Sequence, residues 1–518
     1  MLNNLYVFAI GGSGERVMYS FLMELVAGMP IKANKIIPVF IDNDEQSPAL
    51  TDCRNLINYY SGDGLNGRIL GAQTLNKAFS TDSKEWPSFY HVNIGTPIVL
   101  NQAGDGMGTL DNVIGPLDDQ DEIQHDIIEE KELLFSDDDL SMPLNVGFVG
   151  QPNIGSVVLN SKALQSDEFQ EILNGVTQRD GVIIIGSLFG GTGAAGLPLI
   201  AHQFETKPQQ QRPLIGAIAM LPYFKTDKTR RRDQNIIDIQ KWDVNSDSFD
   251  TKTRAALMYY DKHLNKIDCL YYVGCDKKAI YTHSVGSTEQ KNPVHLVEVL
   301  SAMSIFDFAN LTRPNAIEYR IPTWIVDDNA DSNVLGVTNH ELQKAIVKFQ
   351  MMTLLFQKDV FIKEDIQNNT LPYISNLGIT ETIRKAIVDN ADQFPQAIGL
   401  NNLLKEWDKW CQGLAIAGTA KFSIVRKDND ILEENVTQKF YGDEQWGIAK
   451  TKMVGVFKKE PDKIKPQIKN ELRAAYANVF PKGSKEDAQR MNDQKRISAL
   501  MKVISDALDN VIQKYTIL

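Results

Sequence analysis

Cysteine is scarce in this chain: 518 residues hold only Cys53, Cys269, Cys275 and Cys411, with no CxxC pair among them. That excludes a disulfide framework and a cysteine zinc site, and it predicts a reducing cytoplasmic setting. Long apolar runs are lacking as well. No run approaches the roughly 20 residues that a membrane-spanning helix needs. The apolar stretch Leu5–Ile10 is too short for a signal segment, and no basic region precedes it. Positive charge is in deficit, with 54 Lys and Arg against 66 Asp and Glu and a net charge of -12. This argues against non-specific nucleic-acid binding. No GxxxxGK[ST] sequence occurs, which excludes a P-loop NTPase, and Gly11–Gly14 lacks the GxGxxG spacing of a dinucleotide fold. No nucleophile–base motif marks a small-molecule α/β enzyme.

What is present is a repeated unit of buried strand, glycine loop and helix. Val182-Ile183-Ile184-Ile185-Gly186 reads as a buried strand, and Ser187 to Gly196 follow as a glycine-rich loop. Leu197 to Ala201 then read as first helical turns, where Pro198 is tolerated. This arrangement presents backbone N–H groups and a positive helix end to an anion. Gly190, Gly191, Gly193 and Ala194 keep the backbone open to a phosphate, and the Thr192 hydroxyl adds a donor. A second unit stands at the N-terminus: strand Leu5–Ile10, loop Gly11-Gly12-Ser13-Gly14, then apolar residues at helical spacing from Val17 to Leu25. Ser13 suits either a phosphate contact or a helix cap.

The strand Lys35–Ile41 ends in Asp42-Asn43-Asp44, a cluster suited to a ribose or metal-bound phosphate, or to capping a turn. A third glycine-bearing loop, Gly150-Gln151-Pro152-Asn153, precedes a predicted helix from Val157 to Val176. The strand Pro213–Met220 breaks at Pro222-Tyr223-Phe224, and the strand Asp268–Val273 ends at Gly274-Cys275-Asp276. His295 and Glu298 open a buried helix over Pro293–Ala309; without further ligands the pair reads as packing or stacking rather than metal binding. Strands alternating with helices predict a doubly wound, mostly parallel α/β sheet.

Taken in order, these loops resemble the tubulin/FtsZ superfamily, and more closely its divergent bacterial tubulin-like members. Gly190-Gly191-Thr192-Gly193-Ala194-Ala195-Gly196 is similar to the family's GGTG loop, and Gly11–Gly14 to its first phosphate loop. Asp42–Asp44 is similar to its acidic second loop, and Gly150–Asn153 to its third. Pro222 and Tyr223, before the basic run Lys228–Arg232, stand at its sugar-contacting loop, with Cys275 and Asp276 at its base-edge loop. His295 falls where a residue of the core helix would stack on the base. The resemblance implies bound GTP or GDP with Mg²⁺ and no confident protein metal ligand. It also implies head-to-tail self-assembly, with hydrolysis completed by a carboxylate loop of the next subunit. Asp327, Asp328 and Asp331 are the nearest candidates for that loop.

The implied organisation is a nucleotide-binding domain over 1–310, carrying an acidic insertion at about 52–145 read as short helices and loops. A second α+β domain over 311–450 and a C-terminal helical segment over 451–518 follow, the latter a surface for a protein adaptor. Strands are predicted at Ile317–Val326 and Lys421–Arg426, and helices at Val337–Phe361, Thr380–Ala417 and Ile464–Thr516. The functional expectation is a GTP-binding, filament-forming protein that hydrolyses GTP only when assembled. The alternative is a module that holds the nucleotide without polymerising.

Overall fold

A computed structural model describes residues 1–44, 47–61, 93–94, 97–100, 108–115, 122–144, 147–148, 150–227, 246–275, 278–282, 292–322, 333–334 and 337–338, with helical pieces between 406 and 414, 470 and 478, and 503 and 514. Its strands are β1 (Leu2–Ile10), β2 (Ala33–Ile41), β3 (Asn93–Ile94), β4 (Ile98–Leu100), β5 (Gly181–Ser187), β6 (Leu214–Met220), β7 (Phe224–Asp227), β8 (Cys269–Val273), β9 (Ala279–Thr282) and β10 (Glu318–Arg320). Its helices are α1 (Gly11–Ala27), α2 (Pro48–Ser61), α3 (Leu110–Ile114), α4 (Glu122–Leu134), α5 (Asp137–Leu140), α6 (Pro152–Ser161), α7 (Asp167–Gly175), α8 (Gly191–Glu205), α9 (Phe249–His263) and α10 (Leu296–Asn310).

Eight strands form one sheet in the order β10-β8-β6-β5-β1-β2-β3, with β4 also on β2. Every pairing in it is parallel. Parallel strands are buried on both faces, which explains why β1 and β5 read as unbroken apolar runs. Their side chains divide by parity. Leu5, Val7 and Ala9 join one core with Ile183 and Ile185, whereas Tyr6, Phe8 and Ile10 join the other with Val182 and Ile184. The first core is covered by α1, α2 and α10, together with Trp407, Trp410, Leu414, Leu472 and Val511. The second is covered by α6, α7, α8 and α9. No helix among the described residues is long and apolar enough to cross a membrane.

Several expectations are corrected in detail. The insertion contributes β3 and β4 to the sheet, in addition to short helices. Pro38 falls between the stretch of β2 that pairs with β3 and the stretch that pairs with β4, the position where a missing N–H costs least. The helix expected over Val157–Val176 is two helices, α6 and α7, separated by a 3-10 turn at Ala163–Gln165. Ser166 divides them, its hydroxyl accepting from the Phe169 N–H as the cap of α7. Helix α8 begins at Gly191, six residues before the expected start, so Pro198 lies inside it. A helical proline leaves the carbonyl four residues earlier without its donor. Here the fully buried Tyr260 of α9 supplies one: its hydroxyl donates to Ala194 O at 3.0 Å.

The strand expected at Ile317–Val326 is described only as Glu318–Arg320. Val337–Thr338, expected as a helix start, pairs antiparallel with Asn333–Val334, as its β-branched residues favour. The rest of that predicted helix lies outside the described residues, as does the predicted strand Lys421–Arg426. Helix α10 is buried from Val297 to Ala309, all but its two end residues, which makes it a core helix.

Candidate functional site

Strand order fixes where a ligand fits. The chain leaves β1 through α1 toward β2 on one side, and leaves β5 through α8 toward β6 on the other. Because β1 and β5 are neighbours, their carboxyl ends form a topological switch point where the connections diverge to opposite faces and open a crevice. The segment Gly11–Gly14, expected as a loop, is the first turn of α1, and Gly190–Gly193 is the N-cap and first turn of α8; both lie there. They touch: a Cβ added at Gly11 would sit 3.2 Å from Thr192 Cβ.

Helices α1 and α8 both reach this crevice without a side-chain cap, their N-cap positions being Ile10 and Gly190. Helix α6 arrives beside them with an uncapped Gln151 at its N-cap and Pro152 at its first position. Side-chain caps are present on α3 (Thr109), α5 (Ser136), α7 (Ser166) and α10 (His295), whereas α9, with Ser248 at its N-cap, also lacks one. Open N–H groups and aligned helix dipoles therefore converge on one edge of the sheet, a setting that favours an anion.

The glycines serve the protein's own packing as much as any ligand. Gly11 has φ +68°, the left-handed region where a side chain is strained. A Cβ at Gly193 would lie 2.6 Å from Ser187 N, so α8 approaches β5 this closely only because glycine stands there. Gly12, Ser13 and Gly190 remain half-buried, at the open side of the two loops. Thr192 and Ala194 are buried beneath them. Ser13 is the third residue of α1, past the N-cap position.

At the end of β2, Asp42, Asn43 and Asp44 are all buried. Asp42 Oδ1 accepts the N–H groups of Asn43 at 2.7 Å and Asp44 at 3.4 Å. Burial pushes the Asp42 carboxyl up to about 7, with those backbone donors opposing and the Asp44 charge adding to the rise. Glu15, in the first turns of α1, is fully buried and is held well above the usual carboxylate range by burial and by Asp42. Ser47 donates to its Oε2 at 2.5 Å, and among the described residues Oε1 has no hydrogen-bond partner. Sequence reasoning passed over Glu15. The signal was available, since a carboxylate stands directly after a glycine run in a mostly apolar helix.

On the far side, Pro222 and Tyr223 are buried and Cys275 is half-buried. Tyr223 donates to Glu298 Oε1 at 2.8 Å, and Arg16 Nε donates to the same oxygen at 2.6 Å. Glu298 Oε2 accepts the His295 N–H at 3.0 Å. His295 Nδ1 in turn accepts the Val297 N–H, its ring lies 5.0 Å from that of Tyr223, and burial lowers its pKa. Glu298 thus ties α1, the segment after β6 and the start of α10 into one buried knot.

Gly150, with φ +72°, is buried, Gln151 and Pro152 are half-buried and Asn153 is exposed. Lys252 of α9 donates from Nζ to Gly150 O at 2.6 Å, a contact that nothing in the local sequence signals. Asp276, the basic run 228–232 and the candidate carboxylates Asp327, Asp328 and Asp331 lie outside the described residues. Among the described residues no group of three or more His, Cys, Asp or Glu is arranged to hold a metal.

No known protein family matches this sequence, and no curated protein does. Among solved structures, the chain is similar to CetZ from Methanosaeta thermophila strain DSM 6194, at 16% identity and a TM-score of 0.23. That superposition covers 53% of this chain and 46% of the other, so this chain spans less than half of its neighbour's length. The likeness is too slight to fix a shared fold. The parallel sheet, its switch point and the convergent helix ends stand on this chain's own geometry.

Proposed function

We propose that this chain binds a guanine nucleotide across the carboxyl edge of its sheet and assembles head to tail under that nucleotide's control. The observation that carries the reading is the convergence of α1 and α8, both without side-chain caps, on touching glycine loops at the switch point. The phosphates would lie on Gly11–Ser13 and Gly190–Thr192, with the Gly150–Asn153 loop beside them. The identity of the base and the assembly rest on the ordered likeness of the loops to the tubulin/FtsZ superfamily. GTP fits this edge as an anion meeting unpaired N–H groups. Mg²⁺ would take its ligands chiefly from phosphate and water, with Asp42 and Asp44 as carboxyl groups on the same edge. When bound, it would neutralise phosphate charge.

A heterologous contact of this kind yields an open filament when its rotation does not close a ring. The deciding experiment is to purify the protein, identify any nucleotide that travels with it, and add GTP or a slowly hydrolysed analogue. Negative-stain filaments that depend on GTP, with turnover that rises with protein concentration, are expected. Monomers that retain unhydrolysed nucleotide would replace this reading with that of a non-polymerising binding module. Absence of any nucleotide binding would end both.

A further inference from the structure

We propose that Lys252 is the cation that closes over the phosphates at the amino end of α8, a role that rests on the nucleotide reading above. The inference comes from where this lysine reaches. On the second face of the sheet the helices follow the strand order: α6 and α7 lead into β5, α8 joins β5 to β6, and α9 joins β6 to β8. Helix α8 therefore lies between α6 and α9. Both flanks are in contact. A Cβ at Gly155 of α6 would meet Gly191 O at 2.8 Å, and Tyr260 of α9 donates to Ala194 O.

Lys252 belongs to the first turn of α9, yet its Nζ reaches Gly150 O, one residue before the N-cap of α6. That carbonyl belongs to the turn that packs against the end of α8. The peptide that it grips links Gly150 to Gln151, and Gln151 N lies 2.9 Å from where a Cβ on Gly191 would stand. The ammonium is thus about one peptide unit away from the first residue of α8.

Electrostatics make this an incomplete arrangement. A half-buried ammonium stands beside the positive ends of α6 and α8, which repel it. Its hydrogen-bond partner is a neutral carbonyl, and among the described residues no carboxylate pairs with it. The acid closest in sequence, Asp250, is taken by Lys278 at 2.8 Å. Burial lowers the Lys252 pKa, and no neighbouring charge opposes that shift. An anion at the end of α8 would supply the missing charge, and Nζ would move from the carbonyl to a phosphate oxygen.

The test measures GTP affinity by calorimetry for Lys252→Met, which keeps the aliphatic stem, for Lys252→Arg, and for Gly190→Asp as a reference for the phosphate site itself. Removing one charge-assisted contact is expected to weaken GTP about 10- to 100-fold in Lys252→Met. Lys252→Arg should stay within about fivefold of wild type, with melting temperatures unchanged in both. Lys252→Met within twofold of wild type, while Gly190→Asp abolishes binding, would overturn the lysine's role and leave the nucleotide site standing. Equal weakening by Met and Arg with a lowered melting temperature would also overturn it, showing that Lys252 only braces the Gly150 turn. If Gly190→Asp binds GTP as wild type does, the placement of phosphate at the amino end of α8 falls and the lysine proposal with it.

Discussion

Replacing Gly190 by aspartate separates helix stability from ligand binding. Gly190 is the N-cap of α8, with φ -88° and ψ 165°, the extended geometry in which an aspartate side chain accepts from the N–H groups of the first turn. Its new Cβ would meet Ser187 Oγ at 2.6 Å, the movable end of a small side chain. A capping carboxylate is worth about 0.5–2 kcal/mol, and its charge at a helix amino end adds roughly 0.3–1 kcal/mol. Less the cost of turning Ser187, a net gain of about 1 kcal/mol in stability is expected.

Binding should move the opposite way. The carboxylate takes the N–H groups of Thr192 and Gly193 and places a negative charge where phosphate would lie. Two charge-assisted bonds at roughly 1.5–3 kcal/mol each amount to a loss of about 10²- to 10⁴-fold in GTP affinity. Gly190→Asn caps without charge and should lose only about 10-fold, so the ratio of the two variants isolates the electrostatic part. Calorimetric titration with GTP and thermal melting of both variants are the assays. A Gly190→Asp protein that melts higher and still binds GTP like wild type would refute the assignment of phosphate to this helix end.

Two further outcomes follow from buried groups. Tyr260→Phe leaves the Ala194 carbonyl without a donor and should cost about 1–3 kcal/mol in denaturant unfolding. In a Pro198→Ala background, where the helix regains its own N–H, that cost should largely vanish; an equal cost in both backgrounds would dismiss the pairing. Asp42→Asn should flatten the pH dependence of stability. The folded-state pKa of Asp42, about 7, lies above its ordinary 3.8, so its stabilising contribution is present below about pH 4 and is lost as pH rises through about 7. The variant keeps the oxygen that accepts the Asn43 N–H, and should exceed wild type by up to a few kcal/mol at pH 8. Parallel pH profiles for the two proteins from urea melts at pH 5 and pH 8 would count against the buried-carboxyl account.

How much of this was legible in the sequence differed by element. The strands β1, β5, β6 and β8 announced themselves, because burial on both faces leaves continuous apolar runs that end in glycine or proline. The start of α8 was misplaced because helical propensity argues against Gly191-Thr192-Gly193. Close approach to β5 favours glycine there and overrides propensity. The two short strands of the insertion, Asn93–Ile94 and Ile98–Leu100, are too brief to carry a pattern of their own, and pairing with β2 makes them strands. Among candidate site residues, the glycine loops could be named from local sequence because their chemistry is local. Arg16 and Lys252 matter through partners far along the chain. Arg16 meets Glu298 across 282 positions, and Lys252 meets Gly150 across 102, distances at which no local motif forms.

The most direct measurement of the central claim is amide hydrogen exchange with and without saturating GTP, followed on peptides covering residues 11–16, 148–153 and 188–196. Phosphate seated at the switch point should slow exchange at Gly11–Gly14 and Gly190–Gly193 together, with the same GTP concentration dependence, while the far edge at Glu318–Arg320 is unchanged. GTP binding that leaves both glycine loops exchanging as in the free protein would contradict it.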